Sequence, residues 1–233
     1  MNSSFELKQW ESDFFNRKIF SFNYKSGLSM IKNFPVNSLI DIKLDARDYD
    51  AIDFVNRNSF EFIEGEICFK REVRDESYFS LNGQGLENYI ATFEAIEELK
   101  LTVTGLYENS RFREPWFNVS ERDSFYRKWI ENAVLSKFDD CCLILKDRGR
   151  ISGFVTIRLK SDVATIGLIG VPKPYQGQGV AKNLLELTFE YCKSRNIKTV
   201  SVATQLSNVS ASKLYIKSGF TISDVFYWFY KKV

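Results

Sequence analysis

The sequence predicts an α/β (α+β) fold in which helices flank a sheet, with a smaller α/β region at the N-terminal end. Apolar runs of β type at residues 141–146, 151–159 and 163–171 follow one another with short turns between them, as in a meander. The pattern then switches to helical spacing after residue 176. Nearer the N-terminus, a segment of helical period precedes an alternating run.

The first 80 residues indicate a small α/β unit. A turn-rich opening leads to a helical segment at residues 48–58 and then to an alternating strand at residues 60–73. The polar stretch RDESYFSLNGQG follows, and its Ser, Asn and Gly residues favour turns over periodic structure. We therefore predict two domains, an N-terminal region at residues 1–83 and a main domain at residues 84–233.

The main domain is predicted to open with a strand at residues 86–93. Apolar residues then recur at helical spacing over residues 96–107. Ser120 and Asp123 have the spacing of a capping pair, which predicts the start of a second helix there. These helices precede the meander.

After the meander, one apolar face over residues 181–192 predicts an amphipathic helix. A strand at residues 199–204 follows. The last predicted helix ends at Gly219, because glycine is favoured just after a helix, and an aromatic strand at residues 220–230 closes the fold.

The charge composition argues against nucleic acid and anionic membranes as partners. The 32 basic residues nearly balance the 30 acidic ones, so no large field of one sign exists to recruit nucleic acid or an anionic membrane. The sequence begins without the pattern of a secretory leader, and no apolar stretch approaches the roughly 18 residues of a membrane span. We expect a cytoplasmic protein, with the oligomeric state left open and a homodimer as one alternative.

The chain has no histidine, which restricts its chemistry. Ser-His-Asp hydrolysis, Cys-His catalysis and nearly all catalytic zinc sites need one. The four cysteines form no C-x-x-C pair, so we expect no metal. Any proton transfer must use a carboxylate, tyrosine, lysine or water.

The segment VPKPYQGQGVAKNLL places a glycine-rich turn between a strand and an amphipathic helix. Unpaired N–H groups and the positive end of the helix dipole converge there, so the turn is suited to phosphate. Gly179 permits close approach, Ala181 keeps the first helical turn uncrowded, and Lys173 and Lys182 add positive charge. A structural turn is the alternative. The Rossmann fingerprint would need glycine at position 182, and the Walker loop would need G-K-[ST], so neither fits.

Two ordered motifs resemble those of the GNAT superfamily of acyl-CoA transferases. Its Q/R-x-x-G-x-G/A signature is matched by Gln176, Gly179 and Ala181. Its N-x-x-A-x-x-x-Y-x-x-x-G-F segment is matched by Asn208, Ala211, Tyr215, Gly219 and Phe220. The resemblance covers residues 84–233 and implies a mixed, splayed sheet, with acetyl-CoA as co-substrate wedged between two strands that part.

The resemblance also implies site residues. Tyr215 is assigned as the acid that protonates the departing thiolate, although a tyrosine on an apolar helix face is usually a core residue. Asn208 begins its helix, so an N-cap is its alternative or additional role. The residues expected to bind the acyl donor are Ile169, Val171, Gln176, Gly177, Gly179, Val180, Ala181 and Asn208.

Further segments, namely RFREPWF, WIENAV, VATQ, YIKSGF and the terminal YWFY, are similar to family members that acetylate sugar nucleotides and carry an added N-terminal α/β region. This implies that the acceptor is the amine of a nucleotide-linked amino sugar, a TDP-linked 4-amino-4,6-dideoxyhexose, and that residues 1–83 bind it. The alternatives are another small amine or a peptide as acceptor, and a non-catalytic acyl-CoA-binding sensor.

Two carboxylates and two arginines are further candidates. Glu64 and Glu66 share one face of an otherwise apolar strand, where carboxylates are costly unless they are exposed or employed. An edge strand would expose them; alternatively, Glu66 orients the substrate amine and accepts its proton. Arg111 and Arg113 are candidates to bind the nucleotide's phosphates, with surface salt bridging as the alternative.

Overall fold

A computed structural model describes residues 5–24, 34–76, 78–81, 83 and 85–233. The helices are α1 (Gln9–Phe14), α2 (Tyr49–Arg57), α3 (Ile96–Val103), α4 (Val119–Val134), α5 (Val180–Lys193) and α6 (Val209–Lys217). The strands are β1 (Phe5–Leu7), β2 (Lys18–Phe22), β3 (Ser38–Asp45), β4 (Glu61–Glu72), β5 (Cys141–Asp147), β6 (Arg150–Lys160), β7 (Val163–Gly170), β8 (Thr199–Gln205) and β9 (Thr221–Lys232).

The chain divides into two compact units. Unit 1 comprises Met1–Ile67, Gln205–Ser207 and Asp224–Val233, and unit 2 comprises Cys68–Thr204 and Asn208–Ser223. The predicted boundary at residue 83 stays a prediction, as does the acceptor-binding role predicted for residues 1–83. Part of the polar stretch that suggested it, residues 77, 82 and 84, lies outside the described residues, as do residues 1–4 and 25–33 of the turn-rich opening.

Unit 1 is a small mixed sheet with helices. β1 pairs with β2 antiparallel, β2 with β3 parallel, and β3 with β9 antiparallel. Helix α2 begins at Asp48, whose carboxylate accepts a hydrogen bond from the Ala51 N–H at 3.1 Å. The predicted helix and the predicted strand at residues 60–73 are confirmed as α2 and β4. The core of this unit is made of Phe22, Ile40, Ile42, Leu44, Ala51, Val55, Phe60 and Phe229.

Unit 2 contains the predicted meander and a mixed sheet. β5, β6 and β7 pair antiparallel, and β7 pairs with β8 in parallel. A Cβ atom at Gly153 would lie 2.9 Å from Leu184 of α5, whereas one at Gly170 would lie 2.9 Å from Leu106. Gly170 pairs with Phe154, the residue after Gly153, and successive strand residues face opposite sides. Helix α5 and the segment after α3 therefore cover opposite faces of this sheet.

Two local predictions in unit 2 are wrong. Residues 86–93 form no strand but two short helical turns, and Ile90 makes one isolated bridge to Leu143. Asn88 explains part of this, because its N–H and its side chain both donate to the Gly85 carbonyl and so favour a turn.

The second error concerns the start of α4. Asn118, not Ser120, is the N-cap: its side chain accepts from the Glu121 N–H at 2.9 Å, and Glu121 accepts from the Asn118 N–H at 2.8 Å. The same capping pattern occurs two residues earlier than predicted, with asparagine as the cap. Within the described ranges, no helix has both the length and the apolar character needed to cross a bilayer.

Candidate active site

The parallel strands β7 and β8 part at one end. Their pairs run from Val163 with Thr199 to Ile166 with Val202, although both strands continue beyond that point. The resemblance implies two strands that part, and β7 and β8 do so after Ile166. Beyond Ile166, the backbone of β7 has one edge that β8 does not use, and an extended ligand can pair with such an edge.

A β-bulge opposite Thr156 bends β7 where the strands part. The β6–β7 register shifts between Val155 and Ile157, and the Leu168 N–H donates to the Thr156 hydroxyl at 2.9 Å. Gly167 is required here, because a Cβ atom would lie 2.7 Å from a carboxylate oxygen of Asp139. Asp139 is buried and accepts hydrogen bonds from Trp129 and Arg158, both at 2.9 Å. The bulge is therefore fixed by contacts with buried side chains.

The glycine-rich turn leads into α5 with its amides exposed. Gly177 and Gly179 have φ angles of +74° and +82°, in the left-handed region that favours glycine. The Gln176 side chain donates to the Val171 carbonyl at 2.9 Å and so fixes the turn. Within the described part of the chain, no backbone carbonyl accepts from the N–H groups of residues 177–182, and no side chain caps α5. Six donors at a helix start fit a diphosphate.

Tyr215 projects from α6 into a buried aromatic cluster. Its side chain is 2% exposed, and its ring centroid lies 5.3 Å from that of Phe69 and 5.7 Å from that of Phe220. Burial alone raises the pKa of the hydroxyl, which forms no hydrogen bond with the described residues. No described residue accepts a hydrogen bond from the Tyr215 hydroxyl, and its role as an acid stays a prediction.

Tyr107 is a second tyrosine at the parted strands, and sequence reasoning missed it as a site residue. It lies in the connection after α3, and its hydroxyl donates to the Ile169 carbonyl at 3.1 Å. Its ring stacks on Tyr126 at 4.3 Å. Its pKa is raised well above the ordinary value by burial and then by the nearby Tyr126, Tyr215 and Cys142. Tyr215 thus lies close enough to Tyr107 to affect its pKa.

Asn208 has the structural role foreseen for it. Its side chain accepts from the Ala211 N–H at 3.1 Å and caps α6, the helix that carries Tyr215. Its contact with the acyl donor stays a prediction, as do those of Ile169, Val171, Val180 and Ala181. Of these residues, Val180 and Ala181 lie in the first turn of α5.

Glu64 and Glu66 of β4 both accept hydrogen bonds from residues of unit 1. Glu66 accepts from the Lys43 ammonium and, at 2.8 Å, from the Trp228 indole, while Glu64 accepts from the Ser207 hydroxyl at 2.6 Å. The edge-strand explanation is wrong, because β9 lies on one side of this part of β4 and the Leu206 N–H donates to Gly65 on the other, at 2.7 Å. Polar partners satisfy both carboxylates, and the role of Glu66 toward an amine stays a prediction.

The two arginines of RFREPWF differ in exposure. Arg111 is half-buried, with its guanidinium 4.3 Å from the centroid of the Phe112 ring, whereas Arg113 is exposed and donates to the Glu114 carbonyl at 3.0 Å. Phe112 itself is buried against Phe125. Phosphate binding by either arginine stays a prediction. The described residues contain no group of three or more Cys, Asp or Glu side chains arranged to hold a metal.

A parted parallel strand pair beside a glycine-rich helix start is the arrangement that the resemblance to acyl-CoA transferases implies, and comparisons with known proteins agree on that class. The model of the acetyltransferase (GNAT) family matches residues 106–220. The dTDP-fucosamine acetyltransferase of Escherichia coli O6:H1 is 30% identical over 235 residues, which cover 99% of each chain. The chain belongs to the GNAT acetyltransferase family. It is an acetyl-transferring enzyme, and this family uses acetyl-CoA.

Two further relatives match less of the chain. The ribosomal protein bS18-alanine N-acetyltransferase of Escherichia coli K12 is 30% identical over 81 residues, which cover 35% of this chain and 55% of that protein. The crystal structure of the PaiA N-acetyltransferase of Thermoplasma acidophilum in complex with coenzyme A superposes with a TM-score of 0.51 at 16% identity, covering 61% of this chain and 96% of that one. This structural likeness confirms the predicted fold.

Proposed function

We propose that this enzyme transfers the acetyl group of acetyl-CoA to the amine of a nucleotide-linked amino sugar, a TDP-4-amino-4,6-dideoxyhexose. The full-length similarity to a relative named dTDP-fucosamine acetyltransferase carries the choice of acceptor, because that match extends through the N-terminal region. The match to the protein-acetylating relative covers only 35% of the chain.

The donor site rests on the turn and the parted strands. The pyrophosphate of acetyl-CoA binds the free N–H groups that follow Gln176, including those of Gly177, Gly179, Val180 and Ala181. The pantetheine arm lies along the edge of β7 that β8 leaves unpaired after Ile166, near Ile169 and Val171. Exposed lysines at positions 173 and 182 add positive charge close to the turn.

The chemistry is direct attack without a covalent enzyme intermediate. The neutral amine nitrogen forms a bond to the thioester carbonyl carbon, and the C–S bond breaks. A backbone N–H of the parted β7 near Ile169 stabilises the oxyanion. The departing thiolate takes the proton of Tyr215, which no described residue accepts in a hydrogen bond. The amine's own proton passes to Glu66, directly or through water, which leaves the product amide neutral.

The acceptor role of residues 1–83 and of the arginines belongs to the same proposal. The planar guanidinium fork binds phosphate in two-point fashion, and Arg113 is exposed beside a half-buried Arg111. Free TDP should then compete with the acceptor, and it should stabilise the folded protein against heat.

The decisive assay follows thiol release from acetyl-CoA with a panel of acceptors. TDP-amino sugars, UDP-amino sugars, free amino sugars and a peptide with N-terminal alanine are compared at equal concentration. We expect turnover with the TDP-linked 4-amino sugar and competition by TDP. Turnover with the peptide or free amines alone, with no effect of TDP, would favour the small-amine alternative. Tight acetyl-CoA binding with no turnover on any acceptor would indicate a sensor.

A further inference from the structure

The connection after α3 lies against the parted end of β7 and is held there at several points. The Tyr107 hydroxyl donates to the Ile169 carbonyl at 3.1 Å, three residues beyond the last pair of β7 with β8. Leu106 lies over Gly170, where an added Cβ would come within 2.9 Å of the leucine side chain. Leu106 and Tyr107 therefore both lie against this end of β7.

The Tyr107 ring is fixed by its stacking partner. Tyr126 lies 4.3 Å from it, is 6% exposed, and contacts Phe112 and Phe125 on its other sides. Tyr126 is itself hydrogen-bonded through its hydroxyl to Ser110. With its ring stacked on a buried residue and its hydroxyl bonded to the backbone, Tyr107 has no alternative position that preserves these contacts. Such a side chain acts as a rigid wall.

Tyr215 lies in a second aromatic cluster, which includes a residue of α5. Tyr215 packs on Phe220, which contacts Phe189 of α5 at 5.6 Å. The pKa of Tyr107 is raised in part by Tyr215, so the two hydroxyls lie near each other.

We propose that the Tyr107 ring sets the length of the acyl chain that this enzyme accepts, by filling the volume that carbons beyond acetyl would occupy. The proposal rests on the proposed donor site, in which the thioester lies against β7 near Ile169. A groove of about 590 Å³ lies against the same connection, with Gly105, Leu106 and Pro172 in its wall. Removing the ring lets a longer chain extend toward this groove.

Discrimination by chain length has a known scale. A pocket that rejects a single additional methylene discriminates by about 10-fold to 200-fold. The ring of tyrosine is much larger than one methylene, so its removal should abolish most of this discrimination. Removing only the hydroxyl leaves the wall in place.

The test measures binding, so it needs no acceptor. Dissociation constants for CoA, acetyl-CoA and butyryl-CoA are measured by calorimetry with the wild type, Tyr107→Ala and Tyr107→Phe. We expect the wild type and Tyr107→Phe to bind butyryl-CoA at least about 10-fold more weakly than acetyl-CoA, and Tyr107→Ala to bring the two within about 3-fold. If Tyr107→Ala does not fold, Tyr107→Leu takes its place.

The outcomes distinguish the proposal on acyl-chain length from the proposed donor site. An unchanged ratio in a folded Tyr107→Ala protein would overturn the proposal, and so would an equal loss of selectivity in Tyr107→Phe, because the hydroxyl and not the ring would then be responsible. Equal binding of both thioesters by the wild type would overturn it as well. Failure of CoA itself to bind the wild type would instead overturn the proposed donor site.

Discussion

Tyr107 is half-buried and Tyr215 is buried, and their hydroxyls differ in their partners. Tyr107 donates to a backbone carbonyl at 3.1 Å, whereas Tyr215 forms no hydrogen bond within the described residues. A hydroxyl that donates to the backbone has a structural role, whereas a hydroxyl without such a hydrogen bond can donate its proton in a reaction. This difference supports the two proposals, a shape-determining role for Tyr107 and acid catalysis by Tyr215, although burial raises the pKa of both.

The largest expected effect is the loss of acetyl-CoA binding, on which the proposed roles of both tyrosines depend. Gly179→Trp should abolish acetyl-CoA binding, because the indole would occupy open space in front of the free N–H groups. Isothermal titration measures this directly. Gly149→Trp is the matched control, since Gly149 also has a positive φ, +80°, with nothing within 4 Å of an added Cβ. Wild-type affinity in a folded Gly179→Trp protein would contradict the phosphate site.

The next effect separates the two tyrosines. Tyr215→Phe should lower kcat by about 100-fold or more with little change in the KM for acetyl-CoA, because it removes a positioned acid and keeps the ring. Tyr107→Phe should lower kcat by less than about 10-fold, since it loses only a structural hydrogen bond. Single-turnover kinetics provides the measurement. Equal losses in both variants, or a wild-type chemical step in Tyr215→Phe, would remove the distinction.

A smaller effect is expected from Glu66, the residue proposed to accept the proton of the amine. Glu66→Gln should lower turnover by about 10-fold to 100-fold, partly recovered at high pH, where more of the amine is already neutral. Glu64→Gln is the control, because Glu64 lies on the same strand with its own partner, Ser207. Acetyl-CoA affinity should stay unchanged in both. A pH-independent loss in Glu66→Gln would assign Glu66 to structure, through Lys43 and Trp228.

The smallest effect is on stability at high pH. Burial raises the pKa of Tyr215 and Tyr107 in the folded state above the value of about 10 in the unfolded chain. Above about pH 10 the unfolded state therefore binds fewer protons, and the free energy of unfolding falls as pH rises, by at most about 1.4 kcal/mol per pH unit for each tyrosine.

Urea unfolding at pH 9 and pH 11 tests this dependence. Tyr215→Phe should lose less stability between these values than the wild type does. Tyr49→Phe, which changes an exposed tyrosine on α2, should behave as the wild type. An identical loss in Tyr215→Phe and wild type would show that Tyr215 ionises equally in both states.

The glycine-rich turn and the helix after it were predictable because their signal is local: glycines, a preceding strand and an amphipathic helix occur within one short segment. Tyr107 was not, because its partner Ile169 is 62 residues away and no local pattern indicates that pairing. The partners of Glu66 are similarly distant, at 23 residues for Lys43 and 162 for Trp228. The short strands β1 and β2, of 3 and 5 residues, are too brief to show a period.

Hydrogen exchange of the backbone amides tests the central claim most directly, because the proposed ligand contacts are themselves N–H groups. Exchange of the wild type is followed with and without saturating acetyl-CoA. The account predicts the strongest added protection in residues 177–182 and in residues 167–171, with little change in the β5–β6 turn around Gly149. Saturated binding with protection elsewhere and none in these two segments would contradict the account.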